Sequence, residues 1–223
     1  MRLPRPATLV APLVDLLYPP ACWACGGPIP DQALGLCPAC PLVPLGDCCR
    51  RCGEPQGPHA GPDGCDTCRG RSLFFRHVAA LGRYEGALQA LVRRAKFGGE
   101  PAAWGWLGAR LAGEVSAAPW AAGTDAVVAV PSSRRARWQR GYNPARLLAR
   151  PVARRLGRPL KAWLLRRGSA VPQVGLKRAE RLANVEGAFA LAQGARPEGL
   201  RLLLVDDVMT TGATLAACAG LLV

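Results

Sequence analysis

The sequence predicts an α/β fold, a parallel sheet flanked by helices and preceded by a small cysteine-rich metal module. Three observations predict it. Two short apolar runs, at 125–130 and 202–205, each open into a polar loop and then a helix-like stretch, which is the strand–loop–helix order of a parallel sheet. The chain between and before them carries apolar residues at helical spacing. Nine of the ten cysteines fall between Cys22 and Cys68, ahead of both runs. With 223 residues, half of them hydrophobic, the chain can build one ordinary domain plus an appendage. We divide it into an N-terminal arm (1–20), a metal module (21–72) and an α/β domain (73–223).

The apolar part of the arm, 8–18, is short and interrupted by Pro12 and Asp15. It is too short to cross a membrane and lacks a signal-peptide cleavage pattern. A cytoplasmic protein without membrane insertion is expected.

Eight cysteines form four Cys-x-x-Cys pairs: Cys22/Cys25, Cys37/Cys40, Cys49/Cys52 and Cys65/Cys68. This spacing lets two thiolates meet one tetrahedral Zn²⁺ from a tight knuckle. Gly26, Gly27 and Gly53 follow two of the pairs, where a knuckle turns through positive φ. Pairing in order gives two Cys₄ zinc sites, a double zinc ribbon. Crossed pairing satisfies the same spacing. Four regular pairs without a secretion signal favour structural metal over disulfides. Cys48 is a spare or an alternative to Cys49, and Cys218 reads as a core residue. Four protein thiolates per ion leave no open coordination position, so the zinc is structural rather than catalytic.

The segment 74–84 has strand character. Residues 85–97 have helical spacing, with Leu88, Leu91 and Val92 on one face. A second helix begins across 104–111. The apolar run 125–130 is a buried strand ending at Pro131. Ser132, Ser133, Arg134, Arg135, Ala136, Arg137, Trp138, Gln139, Arg140 and Gly141 follow as a basic loop. Ser132, Ser133, Arg134 and Arg140 are its candidate anion ligands, since guanidinium groups hold a pyrophosphate by forked hydrogen bonds. A helix is predicted over 144–156. Residues 173–189 form a polar excursion that returns to strand.

The last apolar run is the most informative. Leu202, Leu203, Leu204 and Val205 read as a parallel strand buried on both faces. Asp206 and Asp207 stand at its carboxyl end, where open α/β sheets bind ligands. Adjacent carboxylates accept hydrogen bonds from the vicinal hydroxyls of a ribose, or face a hydrated Mg²⁺. Val208, Met209, Thr210, Thr211, Gly212, Ala213 and Thr214 complete the loop. Gly212 allows close backbone approach to a phosphate, and the helix start directs N–H groups at the same anion. The pattern points to a phosphorylated sugar.

Charge supports that ligand class. Residues 1–72 hold six Arg and six acidic residues, whereas 134–181 hold fifteen Lys and Arg and one acid, Glu180. A basic block beside a phosphate loop suits a polyphosphate or a nucleic acid. Zinc thiolates would make the cysteine module negative, so it is no electrostatic clamp for DNA.

The motifs together resemble the ComF/GntX family. The shared features are the cysteine pairs, Leu-Val-Arg-Arg-Ala-Lys-Phe at 91–97, Arg-x-x-Arg-Gly-Tyr-Asn at 137–143, the 173–189 stretch, and Asp-Asp-Val-x-Thr-Thr-Gly-Ala-Thr at 206–214. The resemblance implies a type I phosphoribosyltransferase-like domain behind a double zinc ribbon. It implies phosphoribosyl pyrophosphate (PRPP) and Mg²⁺ binding, and a role in DNA uptake during natural competence. It assigns the ribose to Asp206 and Asp207, which are also the candidate catalytic residues, and the 5′-phosphate to Met209, Thr210, Thr211, Gly212, Ala213 and Thr214. Pyrophosphate falls to the basic loop. The acceptor of a phosphoribosyl group is unspecified. A rival expectation is a non-catalytic module that senses PRPP or binds single-stranded DNA through Trp138 and Tyr142, with a helicase-like protein of the competence machinery as partner. Two departures from the family pattern stand out. Pro144 replaces a usual Gln, and the fold's C-terminal strand or strands are expected to be missing beyond Val223.

Overall fold

The computed structural model describes residues 21–29, 35–55, 64–167 and 187–223. The arm and most of the 173–189 excursion lie outside the described residues.

Among the described residues, two helices precede the first strand. Helix α1 (Gly86–Phe97) buries Leu88, Leu91, Val92 and Ala95 on one stripe. Helix α2 (Pro101–Ala117) opens with Pro101 in its first turn, where a missing N–H costs nothing, and buries Trp104, Leu107 and Val115. A 3₁₀ turn (Pro119–Gly123) leads to strand β1 (Ala126–Ala129). Helix α3 (Arg134–Arg140) and helix α4 (Pro144–Leu156) follow, then strands β2 (Leu160–Lys161), β3 (Leu164–Arg166), β4 (Phe189–Leu191) and β5 (Leu202–Val205). Helix α5 (Ala213–Gly220) is last.

Among the described residues the main sheet has three parallel strands in the order β2-β1-β5. Its register pairs Ala126 with Leu202 and Ala129 with Val205, and Val127 with Leu160. Strands β3 and β4 form a separate antiparallel pair. Alternation along β1 divides the core. Val127 packs with Leu91, Trp104, Leu107 and Leu148 of the first helices and α4, while Val128 packs with Ala213 and Cys218 of α5 and with Leu164 and Phe189. Both valines are fully buried. The sheet is therefore covered on both faces, as a parallel sheet requires. Helices α2 and α4 meet at Gly108, where a Cβ would lie 2.9 Å from the Leu148 carbonyl oxygen and 3.0 Å from Pro151 Cγ.

Cys218 is buried in this core, as expected. Three expectations change. The segment 74–84 is not a strand. Its backbone bonds run instead to the cysteine module, Val78 N–H to Arg50 and Arg83 N–H to Val43, and Phe74 sits at φ 58°. The basic loop is partly helical. Ser133 caps α3 by accepting from the Ala136 N–H, and Gly141 ends it at φ 79°. Strand β5 is not buried on both faces. Only Val205 is fully buried, because β5 stands at the edge of the sheet with β1 as its neighbour among the described residues. No helix among the described residues is long and apolar enough to cross a membrane.

Candidate functional site

The cysteines assemble in order. Cys22, Cys25, Cys37 and Cys40 form one group, and Cys49, Cys52, Cys65 and Cys68 the other, with all sulfurs of a group within 4.8 Å of one another. Crossed pairing is excluded. Each group starts from the same turn. Gly26 N–H donates to the Cys22 carbonyl and Gly53 N–H to that of Cys49, with φ of 75° and 72° at the two glycines. A Zn²⁺ with four thiolates at about 2.3 Å sets its sulfurs about 3.8 Å apart. The Cys25–Cys37, Cys49–Cys68 and Cys52–Cys65 sulfurs are separated by 3.7, 3.8 and 3.5 Å. Each group could thus hold one zinc ion. Cys48 belongs to neither.

The thiols show why a cation fits. Burial opposes ionisation of Cys22, but hydrogen bonds from the backbone at Cys25, Cys37 and Ala24 outweigh it and bring the thiol down to about 6. In the second group Cys49 falls to about 6 in the same way, against burial and through the backbone at Cys52, Arg51 and Cys65. Their neighbours go the other way. Hydrogen bonding to Cys25, then burial, pushes Cys40 up to about 12, and burial raises Cys52. Four sulfurs this close hold all their negative charge only around a divalent cation.

The carboxylate pair stands on the sheet, at the end of β5. Strands β1 and β5 run parallel in register, so the loops after Val130 and Val205 rise side by side from the same edge. Val130 N–H donates to the Val205 carbonyl. The Asp206 carboxylate accepts the Asp207 N–H at 2.8 Å. Burial, and then the charge of Asp207, pushes the Asp206 carboxyl up to about 7, against the pull of Lys96 and Arg166. Lys96 of α1 meets Asp207 directly, Nζ to Oδ2 at 2.8 Å.

The rest of the 206–214 loop is built for close approach. Gly212 takes φ 74° at the start of α5. Thr211 Oγ1 accepts from the Ala213 N–H at 3.4 Å. The loop is also gripped from the cysteine module. Arg71 Nη2 donates to the Thr211 carbonyl at 3.0 Å, and a Cβ on Gly53 would lie 2.9 Å from Met209 Cε. Ala216 of α5 packs on the cluster of Cys49, Cys65, Cys68 and Leu73. A cleft of about 1010 Å³ runs along the open side of β5, lined by Asp206, Asp207, Met209 and the 74–85 segment.

The second predicted motif sits on the β1 side. Ser132 Oγ donates to Asn143 Oδ1, and Asn143 Nδ2 donates to the Val130 carbonyl. Ser133 caps α3. Both serine hydroxyls therefore shape the loop. Arg134 is exposed. The Arg140 guanidinium lies over the Phe97 ring, 5.6 Å from its centroid. The Tyr142 hydroxyl donates to the Ala95 carbonyl, which ties this motif to the end of α1.

Sequence reasoning missed Lys96 and Arg71 as site residues. Lys96 had a signal, since it stands inside the 91–97 run that carries part of the family resemblance. Arg71 had none, as it reaches the loop only through tertiary packing.

No protein-family model matches the chain, and no solved structure matches it. Curated proteins do. The chain is 32% identical over 216 residues to the DNA utilization protein YhgH of Salmonella typhi, covering 93% of this chain and 92% of that one. It is 30% identical over 211 residues to competence protein F of Haemophilus influenzae, covering 90% of each. It is 31% identical over 173 residues to the competence protein ComFC of Bacillus subtilis, covering 76% of this chain and 69% of the relative.

Proposed function

The chain belongs to the ComF/GntX family of DNA utilization and competence proteins, and from that premise we propose that it is a cytoplasmic PRPP-binding protein with a type I phosphoribosyltransferase-like domain. The relatives support a competence-associated role. The observation that carries the ligand reading is the carboxylate pair at the end of β5, followed by a glycine-started helix and faced by the basic motif of the neighbouring strand.

In this reading Asp206 and Asp207 accept hydrogen bonds from the ribose hydroxyls. The N–H groups from Thr210 to Thr214 receive the 5′-phosphate, favoured by the positive end of α5. Arg134 and Arg140 serve the diphosphate. The oxygen donors of the carboxylate pair fit Mg²⁺, which when bound neutralises charge on the departing diphosphate. Transfer would form a bond from an acceptor nucleophile to C1 of the ribose. It would break the C1–O bond, and pyrophosphate would leave with the electron pair. The proton of the nucleophile would pass to Asp206, Asp207 or solvent. The two Cys₄ groups are structural zinc sites in this reading.

Calorimetry with PRPP and Mg²⁺ tests it. The wild-type chain is expected to bind, and the double variant Asp206→Asn, Asp207→Asn to lose at least tenfold in affinity. Equal binding by both would refute the loop assignment.

A second reading, a single-stranded DNA module, is favoured by one observation. Trp138 is 87% exposed and Phe97 77% exposed, on a surface that also carries Arg134, Arg135 and Arg137. Exposed aromatics among arginines suit base stacking. Tyr142 is tied to Ala95, so Phe97 replaces it as the second stacking candidate. Binding of an oligonucleotide that weakens on Trp138→Ala and with added salt, but not on changing the carboxylates, would support this surface.

A further inference from the structure

We propose that Lys96 is a ligand-binding residue of this site. It pairs with Asp207 and exchanges that partner for the diphosphate end of a sugar-phosphate ligand. The inference rests on the PRPP reading above and adds a residue to it.

The ion pair is placed with care. Lys96 Nζ lies 2.8 Å from Asp207 Oδ2, and each side chain is only 18% exposed. Water therefore screens it less than an ordinary surface pair. Lys96 occupies the last turn of α1, where an ammonium also suits the negative end of the helix. The residues on either side of it are held by the basic motif. The Tyr142 hydroxyl donates to the Ala95 carbonyl, and the Arg140 guanidinium lies over the Phe97 ring. Ser132, Asn143 and the Val130 carbonyl anchor the same motif to the end of β1. One chain of contacts thus runs from β1 through the basic motif to Lys96, and from Lys96 to the end of β5.

This position lies between the two halves of the proposed ligand site. The carboxylates and the 210–214 loop take the ribose and its 5′-phosphate. The basic motif serves the diphosphate, and Lys96 meets Asp207 directly while its neighbours Ala95 and Phe97 touch the basic motif. Its chemistry suits an exchange of partners. A lysine carries a compact charge on a flexible stem and three donors, whereas an arginine is a rigid fork. One contact, to Asp207, is made among the described residues. When ribose hydroxyls donate to Asp207, they compete with the ammonium for the same oxygens. A diphosphate held by the basic motif would offer the ammonium more negative charge than the carboxylate it leaves.

A purely structural ion pair makes a different prediction. If Lys96 only orients Asp207, its loss weakens ribose binding. If it moves to the diphosphate, its loss weakens pyrophosphate binding and leaves ribose binding intact.

The experiment is calorimetry on the full chain and on its Lys96→Met and Lys96→Arg variants. Three probes are titrated: PRPP with Mg²⁺, ribose 5-phosphate, and inorganic pyrophosphate with Mg²⁺. Thermal unfolding checks that the variants fold. Lys96→Met is expected to lose about tenfold in affinity for pyrophosphate and for PRPP, the scale of one charged hydrogen bond. Its affinity for ribose 5-phosphate should hold or improve. Lys96→Arg should keep most of the pyrophosphate affinity, which also covers the case in which Lys96→Met fails to fold. A parallel loss for ribose 5-phosphate, or unchanged pyrophosphate binding, would overturn the role of Lys96 while leaving the PRPP reading intact. A wild-type chain that binds none of the three probes would overturn both.

Discussion

Replacing Arg71 by alanine asks whether the cysteine module is part of the ligand site. Arg71 lies three residues beyond Cys68, and its guanidinium donates to the Thr211 carbonyl at 3.0 Å. No other side-chain hydrogen bond to the 209–212 backbone comes from that module among the described residues. A hydrogen bond from a charged donor contributes about 1.5–3 kcal/mol. Arg71 is partly exposed, so solvent reduces this to about 1 kcal/mol. Spent on holding the loop in its binding geometry, about 1 kcal/mol corresponds to a roughly fivefold loss of phosphate affinity. The assay is calorimetry with ribose 5-phosphate, together with hydrogen exchange of the amides at 210–214. Arg71→Ala should weaken binding about fivefold and speed exchange there, with the zinc content unchanged. Binding and exchange both equal to wild type would refute the coupling between module and loop.

Other outcomes follow from the same geometry. Folding raises the Asp206 carboxyl from 3.8 to about 7, so across that window the folded chain holds a proton that the unfolded chain has released. Stability should fall as the pH rises from about 4 to about 7 and then level off, and Asp206→Asn should flatten this slope in urea midpoints measured against pH. Metal analysis should find two zinc ions per chain, and their removal by a chelator should lower the thermal midpoint sharply, because binding energy at such sites is folding energy. With metal in place, one of the ten thiols should react with a disulfide reagent, and slowly. That thiol is Cys48, which lies outside both groups and is raised by burial and by the charges of Cys49 and Asp47. Cys218 should stay inert, since burial and then the Asp206 charge push it up to about 12.

What the sequence made legible was local chemistry. The four cysteine spacings declared the eight metal ligands, because a knuckle is a short-range geometric object, while their grouping in order came from the fold. The runs at 125–130 and 202–205 declared β1 and β5, and the helix expected over 144–156 is α4. What stayed hidden depended on where chain segments meet. The 74–84 stretch has strand-forming residues, yet its hydrogen bonds go to Val43 and Arg50, so tertiary contacts override propensity. Helix α3 is the exception, a local signal that the loop reading passed over, since Arg is a good helix former and Ser133 a good cap. Lys96 and Arg71 reach the loop from distant parts of the chain, and no spacing rule pairs them with it.

The central claim is that the end of β5 holds a phosphorylated ribose. A crystal structure of the chain grown with PRPP and Mg²⁺ tests it most directly. The 5′-phosphate is expected on the backbone N–H groups of 210–214, the ribose hydroxyls on Asp206 and Asp207, and the diphosphate toward Lys96 and Arg140. Ligand density elsewhere, with that loop bare under saturating PRPP, would contradict it.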